Sequence, residues 1–484
     1  MNALRRFLEQ QVTKVEAEKI DLVKKDCYRL GFHLMPPVGW LNDPNGLCQY
    51  KGCYHVFFQY APFEAEGGLK FWGHYESKDL LHWIYTGAVL SPDDPKDCHG
   101  VYSGSALVEE NEIWLYYTGN VKYSGDYNYF TNGRGSNTMC VVTEDGKKIS
   151  YKQCVMENKD YPQDITCNIR DPKVWKEENY YMVLGAMDCN EKGLVLLYES
   201  EDKIKWELKN RIESAEKFGF MWECPDIFKV EGMDFLAISP QGVEQKGICY
   251  QNKYQSGYFL IKGNYKNDYT LGEFMEWDKG FDFYAPQTFE DEKGRRILIG
   301  WMGMADCEDE YSNPTLQNGW QHALTMPREI NRRGEKLLQT PVEEMKQLRK
   351  NSWEISGKSL LPTLSQYEVL LKNEKGKEGN TICQVRIGND LYLKYSTATK
   401  EIVLSFLGEE GAGRKERRAS LEHLYQLDIW VDSSAVEFFC NAGEVVFATR
   451  FYPQDGKSTM EIQWEGYKGI FWELDSMKVQ IEEK

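Results

Sequence analysis

The stretch Gly39-Trp40-Leu41-Asn42-Asp43-Pro44-Asn45-Gly46 decides the reading of this chain. Asp43-Pro44-Asn45-Gly46 has the composition of a turn, because Pro44 restricts φ and Gly46 tolerates φ > 0. Trp40 and Leu41 are too apolar for a plain surface loop. The expectation is a rigid bend that holds a carboxylate, an amide and a large aromatic together. Those are the parts of a sugar site: an ionised Asp to attack or stabilise, an Asn to hydrogen-bond hydroxyls, and an apolar ring to stack.

Downstream, short strand-like apolar runs recur at Tyr54–Tyr60, Glu112–Thr118, Tyr180–Ala186, Asp234–Pro240 and Arg295–Trp301. This spacing predicts a five-bladed propeller of four-stranded antiparallel sheets. A polar motif precedes each run: Asp43-Pro44, Ser103-Gly104, Arg170-Asp171-Pro172, Glu223-Cys224-Pro225-Asp226 and Tyr284-Ala285-Pro286-Gln287. If the runs are equivalent strands, the motifs occupy equivalent places near the axis and converge on one funnel.

Three carboxylates stand out there. Asp43 is the first. Asp171 follows Arg170, whose cation is expected to keep neighbouring carboxylates ionised. Glu223 lies between Trp222 and Cys224-Pro225, an apolar flank expected to raise its pKa as a general acid requires. Two carboxylates with different protonation states are the minimum for glycoside hydrolysis.

On either side of this region the text changes. Leu4, Leu8, Val12 and Val15 predict an amphipathic helix, so residues 1–28 read as a helical extension and 29–335 as the propeller. Thr340-Pro341-Val342-Glu343 reads as a capping box, giving a linker helix over 336–352. From 353 to 484 alternation takes over. Cys383, Val385 and Ile387, a Gly388-Asn389 turn, then Leu391, Leu393 and Tyr395 predict a β-sandwich. The fold class is all-β: a five-bladed β-propeller, then a C-terminal β-sandwich, with a short N-terminal helix.

Composition narrows the function. The 484 residues carry a net charge of −17, which disfavours nucleic acid and anionic membrane surfaces as partners. Aromatics reach 14%, as strands and sugar stacking both require. No apolar run of about 18 residues predicts a membrane span, and Met1 to Gln11 has no apolar leader core. Thirteen scattered Cys favour reduced thiols and a cytoplasmic location. No zinc spacing, Walker A loop or Rossmann glycine pattern is present, so neither metal nor cofactor is expected.

With these residues in view, the chain resembles glycoside hydrolase family 32, the invertase and sucrose-6-phosphate hydrolase family. Trp40-Leu41-Asn42-Asp43-Pro44-Asn45-Gly46 matches its W-[LM]-N-D-P-N-G signature, Arg170-Asp171-Pro172 its R-D-P motif and Glu223-Cys224-Pro225 its E-C-P motif. Phe57-Phe58-Gln59, Trp72-Gly73-His74, Tyr102-Ser103-Gly104-Ser105, Gly300-Trp301 and Pro327-Arg328-Glu329 also match, in order. The resemblance implies a retaining β-fructofuranosidase that hydrolyses the fructosyl bond of sucrose or sucrose 6-phosphate through a covalent fructosyl-enzyme intermediate.

It implies roles by position. Asp43 is the nucleophile, Glu223 the acid and base, and Asp171 the stabiliser that binds fructose hydroxyls. Asn42, Gln59, Ser103 and Arg170 hold the fructosyl ring, Trp40 and Tyr102 join the sugar site, and Trp72 or Trp301 are apolar walls. Cys224 tunes Glu223 from behind. Where many invertases have an extra Trp, this chain has Glu66-Gly67-Gly68-Leu69-Lys70. That is closer to the sucrose-6-phosphate branch and makes Lys70 a candidate phosphate contact. The partner is then a small sugar substrate, with the oligomeric state open. An exo-acting fructan hydrolase or a fructosyltransferase shares the catalytic residues. From another class, a non-catalytic sugar-binding propeller has no need of a separate acid and nucleophile.

Overall fold

The computed structural model describes residues 2–373 and 382–482. Met1, 374–381 and 483–484, which fall in the predicted helix and sandwich spans, lie outside the described residues. Five antiparallel sheets follow one another in chain order, each with its first strand innermost. The inner strands are Gly39–Tyr50, Val101–Val108, Ile165–Lys176, Met221–Val230 and Tyr284–Glu290. Each packs against the inner strand of the next, and the fifth against the first, so the ring closes. The five apolar runs are the second strands, at Cys53–Ala61, Ile113–Lys122, Tyr180–Asp188, Met233–Gln241 and Arg296–Met302. Their side chains are buried on both faces, between neighbouring blades, which is why they read as runs rather than alternations.

Two additions close the ring further. Trp320–Gln321 pairs in parallel with Gly39–Trp40, stitching the fifth blade to the first. Lys478–Ile481, after the sandwich, pairs in parallel with His82–Tyr85 at the outer edge of blade 1.

The helix spans Ala3–Val23, with Asn2 capping it by accepting from the Arg5 N–H at 2.7 Å. It docks on blade 1, where Glu16 accepts from the hydroxyls of Tyr60 (2.9 Å) and Tyr85 (2.6 Å). Val12 and Val23 are buried, but Leu4 of the predicted stripe is exposed.

The linker differs from expectation. Lys336–Pro341 is the outer strand of blade 5, and only Glu343–Leu348 turns, as a 3-10 helix capped by Val342 without a side-chain bond. Thr340 is committed to the ladder opposite Glu329, so it caps nothing. Among the described residues two six-stranded sheets then form the sandwich, with the predicted Gly388-Asn389 turn in place and a second turn at Asn441-Ala442-Gly443.

A buried ion network ties sandwich to propeller. Arg328 donates to Glu437 at 2.6 Å and 2.9 Å, to Asp278 at 3.0 Å and to Gln339 at 2.9 Å. His33 lies 2.8 Å from Asp432 and 3.0 Å from Glu437. Arg328, in one of the matched motifs, is therefore a structural clamp. Arg328→Ala strands two buried carboxylates and should destabilise the fold by about 3–5 kcal/mol. A urea-unfolding midpoint unchanged from wild type would contradict that role.

Candidate active site

All five inner strands carry the same irregularity at the same level. In each, two residues stand opposite one on the second strand: Asn42 and Asp43, Tyr102 and Ser103, Asp171 and Pro172, Cys224 and Pro225, Ala285 and Pro286. A bulge bends its strand and re-aims side chains. Here five bulges aim five motifs at the axis. Asp43-Pro44-Asn45-Gly46 is therefore not the expected turn. It lies within a continuous strand, with bulges on both sides of Pro44-Asn45 and Gly46 at φ 53°. Pro44 is tolerated there because the strand is innermost and irregular.

In blades 3 to 5 the residue before the proline is left-handed: Asp171 at φ 63°, Cys224 at φ 46° and Ala285 at φ 46°. Non-glycine residues in that region cost about 1–3 kcal/mol each and persist where the surroundings over-determine them. Gly185 lets blade 4 press close, since a Cβ there would meet the Trp222 carbonyl at 1.9 Å.

The residues preceding these three bulges are Arg170, Glu223 and Tyr284, and they meet. Arg170 Nη2 donates to Glu223 Oε1 at 2.6 Å and Nε to the same oxygen at 3.1 Å. Tyr284 OH donates to Glu223 Oε2 at 2.6 Å, and Gln241 Nε2 to that oxygen at 2.8 Å. Trp222 does not flank the carboxylate as expected. Side chains alternate along a strand, so it points the other way, into the core between blades 3 and 4, with its indole N–H on the Phe218 carbonyl.

Asp43 has a different setting. Ser103 Oγ donates to its Oδ2 at 2.5 Å and Asn42 Nδ2 to its Oδ1 at 3.1 Å. Behind them a chain runs from Trp40 Nε1 to Asn42 Oδ1 (2.8 Å), Asn42 Nδ2 to Gln59 Oε1 (2.6 Å) and Gln59 Nε2 to Ser103 Oγ (2.9 Å). Each amide is used at both ends, so its orientation is set. Burial pushes the Asp43 carboxyl up and the charge of Glu223 adds to this, while Ser103, Asn42 and Lys70 oppose it.

Asp171 is buried between them, its backbone N–H on Thr118 Oγ1 at 2.9 Å. Burial pushes its carboxyl up to about 7 against the pull of Arg170, whose guanidinium is 3.9 Å away and committed to Glu223. Arg170 therefore does not keep this neighbour in the ordinary carboxylate range, as the sequence suggested. Cys224 serves Asp171 rather than Glu223. Its N–H donates to Asp171 Oδ2 at 3.0 Å, and its Sγ lies 3.6 Å from that oxygen and 3.9 Å from Asp43 Oδ2. Burial beside these carboxylates holds it as an un-ionised thiol.

The aromatics divide. Trp40 is half-buried, edge-on to His322 at 4.4 Å and 6.0 Å from the Trp301 ring. Trp301 is buried behind it against Tyr284. Trp72 is no wall. It is fully buried between Phe57 and Tyr117, and its indole N–H holds the Tyr102 carbonyl at 3.1 Å. Tyr102 itself is half-buried. Sequence reading missed Gln241 and left Tyr284 out of the site. A signal for Tyr284 existed: it stands two before Pro286, as Arg170 and Glu223 stand two before their prolines.

Lys70 reaches the Asp43 side of the site. Its Nζ lies 4.7 Å over the Trp40 ring, and burial pushes its pKa down to about 7 against the attraction of Asp43. Its charge in turn favours ionised Asp43. Removing that cation raises the Asp43 pKa, so Lys70→Met should move the acidic limb of kcat/KM to higher pH by roughly half to one unit. A limb that stays put or moves down would refute the coupling.

A closed five-bladed ring with three carboxylates at its centre has the parts that glycoside hydrolysis needs. The model for the Glycosyl hydrolases family 32 N-terminal domain matches residues 33–341, and that for the Glycosyl hydrolases family 32 C terminal matches residues 335–480. The chain belongs to glycoside hydrolase family 32 and is a fructosidase of that family. It is 39% identical over 468 residues to the sucrose-6-phosphate hydrolase of Bacillus subtilis (strain 168), covering 94% of each chain. It is 35% identical over 457 residues to the raffinose invertase of Escherichia coli, covering 90% of this chain and 92% of that one. Among solved structures it is similar to the sucrose-6-phosphate hydrolase from Lactobacillus gasseri, with TM-score 0.86, 28% identity and coverage of 96% and 97%. It is also similar to a mutant GH32 beta-fructofuranosidase of Bombyx mori in complex with sucrose, with TM-score 0.83, 28% identity and 99% coverage of both chains.

Proposed function

We propose that this fructosidase is a retaining enzyme acting on sucrose 6-phosphate and sucrose, with Asp43 as nucleophile and Glu223 as acid and base. The observation that carries this is the contrast between the two carboxylates. Asp43 receives one hydroxyl and one amide, which orient an oxygen for attack, and no guanidinium blunts it. Glu223 is held by Arg170, Gln241 and Tyr284, donors that fix its position and favour the ionised form needed to take a proton from water.

In the first step an Asp43 oxygen bonds to fructosyl C2 as the C2–O bond to glucose breaks. The proton of Glu223 goes to that departing oxygen. In the second step Glu223 takes a proton from water, the water oxygen bonds to C2 and the Asp43 ester breaks. Asp171 takes the remaining role in this reading, hydrogen-bonding the fructosyl hydroxyls. The names of the relatives support the phosphorylated substrate. Thirteen free thiols suit the cytoplasmic location expected from the sequence.

Two measurements test this. Methanolysis should give the methyl fructofuranoside with the substrate's β configuration; the α product would mean inversion. Comparison of kcat/KM on sucrose, sucrose 6-phosphate, 1-kestose and inulin should favour the disaccharides. A preference for inulin would make the enzyme a fructan hydrolase.

A further inference from the structure

Arg134 opens the third strand of blade 2, Arg134–Thr143, at the end of the blade that carries Ser103. The next turn of chain is pinned to blade 3: Ser136 Oγ donates to the Cys167 carbonyl at 2.6 Å, three residues before Arg170. Arg134 is half-buried, and its Nε is fully buried without a partner. Among the described residues its guanidinium makes no hydrogen bond and no ion pair. The charged groups that act on it are Arg170, which repels it, and Glu223, which attracts it. Glu223 is already occupied by four donors from three side chains.

A desolvated guanidinium beside a second guanidinium, with no anion of its own, is unfavourable unless something outside the chain completes it. A planar fork of donors is suited to bidentate phosphate. Its neighbours place it on the Glu223 side, where the leaving sugar departs. Lys70 is instead drawn over Trp40 towards Asp43.

We propose that Arg134, rather than Lys70, is the residue that selects a phosphorylated substrate, by binding the phosphate carried on the departing sugar. This rests on the reading of Glu223 as the acid. It also explains how a chain of net charge −17 accepts a dianionic substrate: the cation is local and pre-placed.

The test compares wild type, Arg134→Gln and Arg134→Lys on sucrose and sucrose 6-phosphate, with inhibition by glucose, glucose 6-phosphate and inorganic phosphate. Wild type should prefer sucrose 6-phosphate and be inhibited more tightly by glucose 6-phosphate than by glucose. Arg134→Gln should lower the ratio of kcat/KM for sucrose 6-phosphate to that for sucrose by about 10- to 100-fold, chiefly through KM. Arg134→Lys should keep part of the preference, since charge remains but the fork is lost. If wild type prefers the phosphorylated sugar and Arg134→Gln leaves the ratio unmoved, the assignment to Arg134 is wrong and the substrate reading stands. If wild type shows no preference and glucose 6-phosphate inhibits no better than glucose, the phosphate reading itself fails. Inorganic phosphate inhibiting as tightly as glucose 6-phosphate, with relief in Arg134→Gln, would make this a free-anion site and overturn the proposal.

Discussion

Asp43→Asn should fold as wild type does and lose hydrolysis by a factor on the order of 10⁴–10⁶, because an amide cannot form the fructosyl ester. Asn is nearly isosteric, and the Ser103–Gln59–Asn42 chain keeps its own bonds without the charge. Stability gives a second reading. Burial raises the Asp43 pKa in the fold above its value in the unfolded chain. An acid with a raised folded pKa costs stability at every pH where the unfolded chain has ionised it. Neutral Asn removes that cost, so at pH 7 the Tm should stay level or rise. Turnover within tenfold of wild type would end the assignment of Asp43 as nucleophile.

Glu223→Gln should cost about 10²–10⁴-fold on sucrose, the usual worth of a positioned acid. The loss should be much smaller on a fructoside whose aglycone departs without a proton, because only the protonation of the leaving group is missing. Equal losses on both would mean that Glu223 merely positions the sugar. The variant also leaves Arg170 without its anion, so Glu223→Ala is an informative companion. It should restore turnover with added azide as an external nucleophile on the activated fructoside, whereas a positioning residue would show no such rescue.

The blade count and the convergence of the motifs were legible because both follow from local text. A second strand buried on two faces must be a continuous apolar run, and Tyr54–Tyr60 and Tyr180–Ala186 are such runs. The bulges were not legible. Asp-Pro-Asn-Gly carries the same residues whether it turns or kinks a strand, and only the pairing of Leu41 with Tyr60 and Pro44 with Phe58 decides. The surroundings of Glu223 were misread for a related reason. Sequence neighbours were taken as spatial ones, but in a strand Trp222 points opposite to Glu223, and the true neighbours are Arg170 of blade 3, Tyr284 of blade 5 and Gln241 on the second strand of Glu223's own blade. Trp72 shows the same limit, since a matched motif reports that a residue is needed without saying that it faces the sugar.

The bulge level gives this enzyme an unusual dependence on its own topology. Asp43 belongs to the first blade and Glu223 to the fourth, and Cys224 touches Asp43 across 181 positions of chain. Tyr284, which grips Glu223, belongs to the fifth blade, whose inner strand contacts those of the first and fourth. No single blade holds the pair, and the run that joins them most directly, blades 4, 5 and 1, exists only once the last blade meets the first. In refolding, sheet signal should therefore return as individual blades form, while catalysis returns only when the longest-range pairings are made. Turnover then reports a late event, the joining of first blade to last, and a time lag between circular dichroism and activity measures how long the circle stays open.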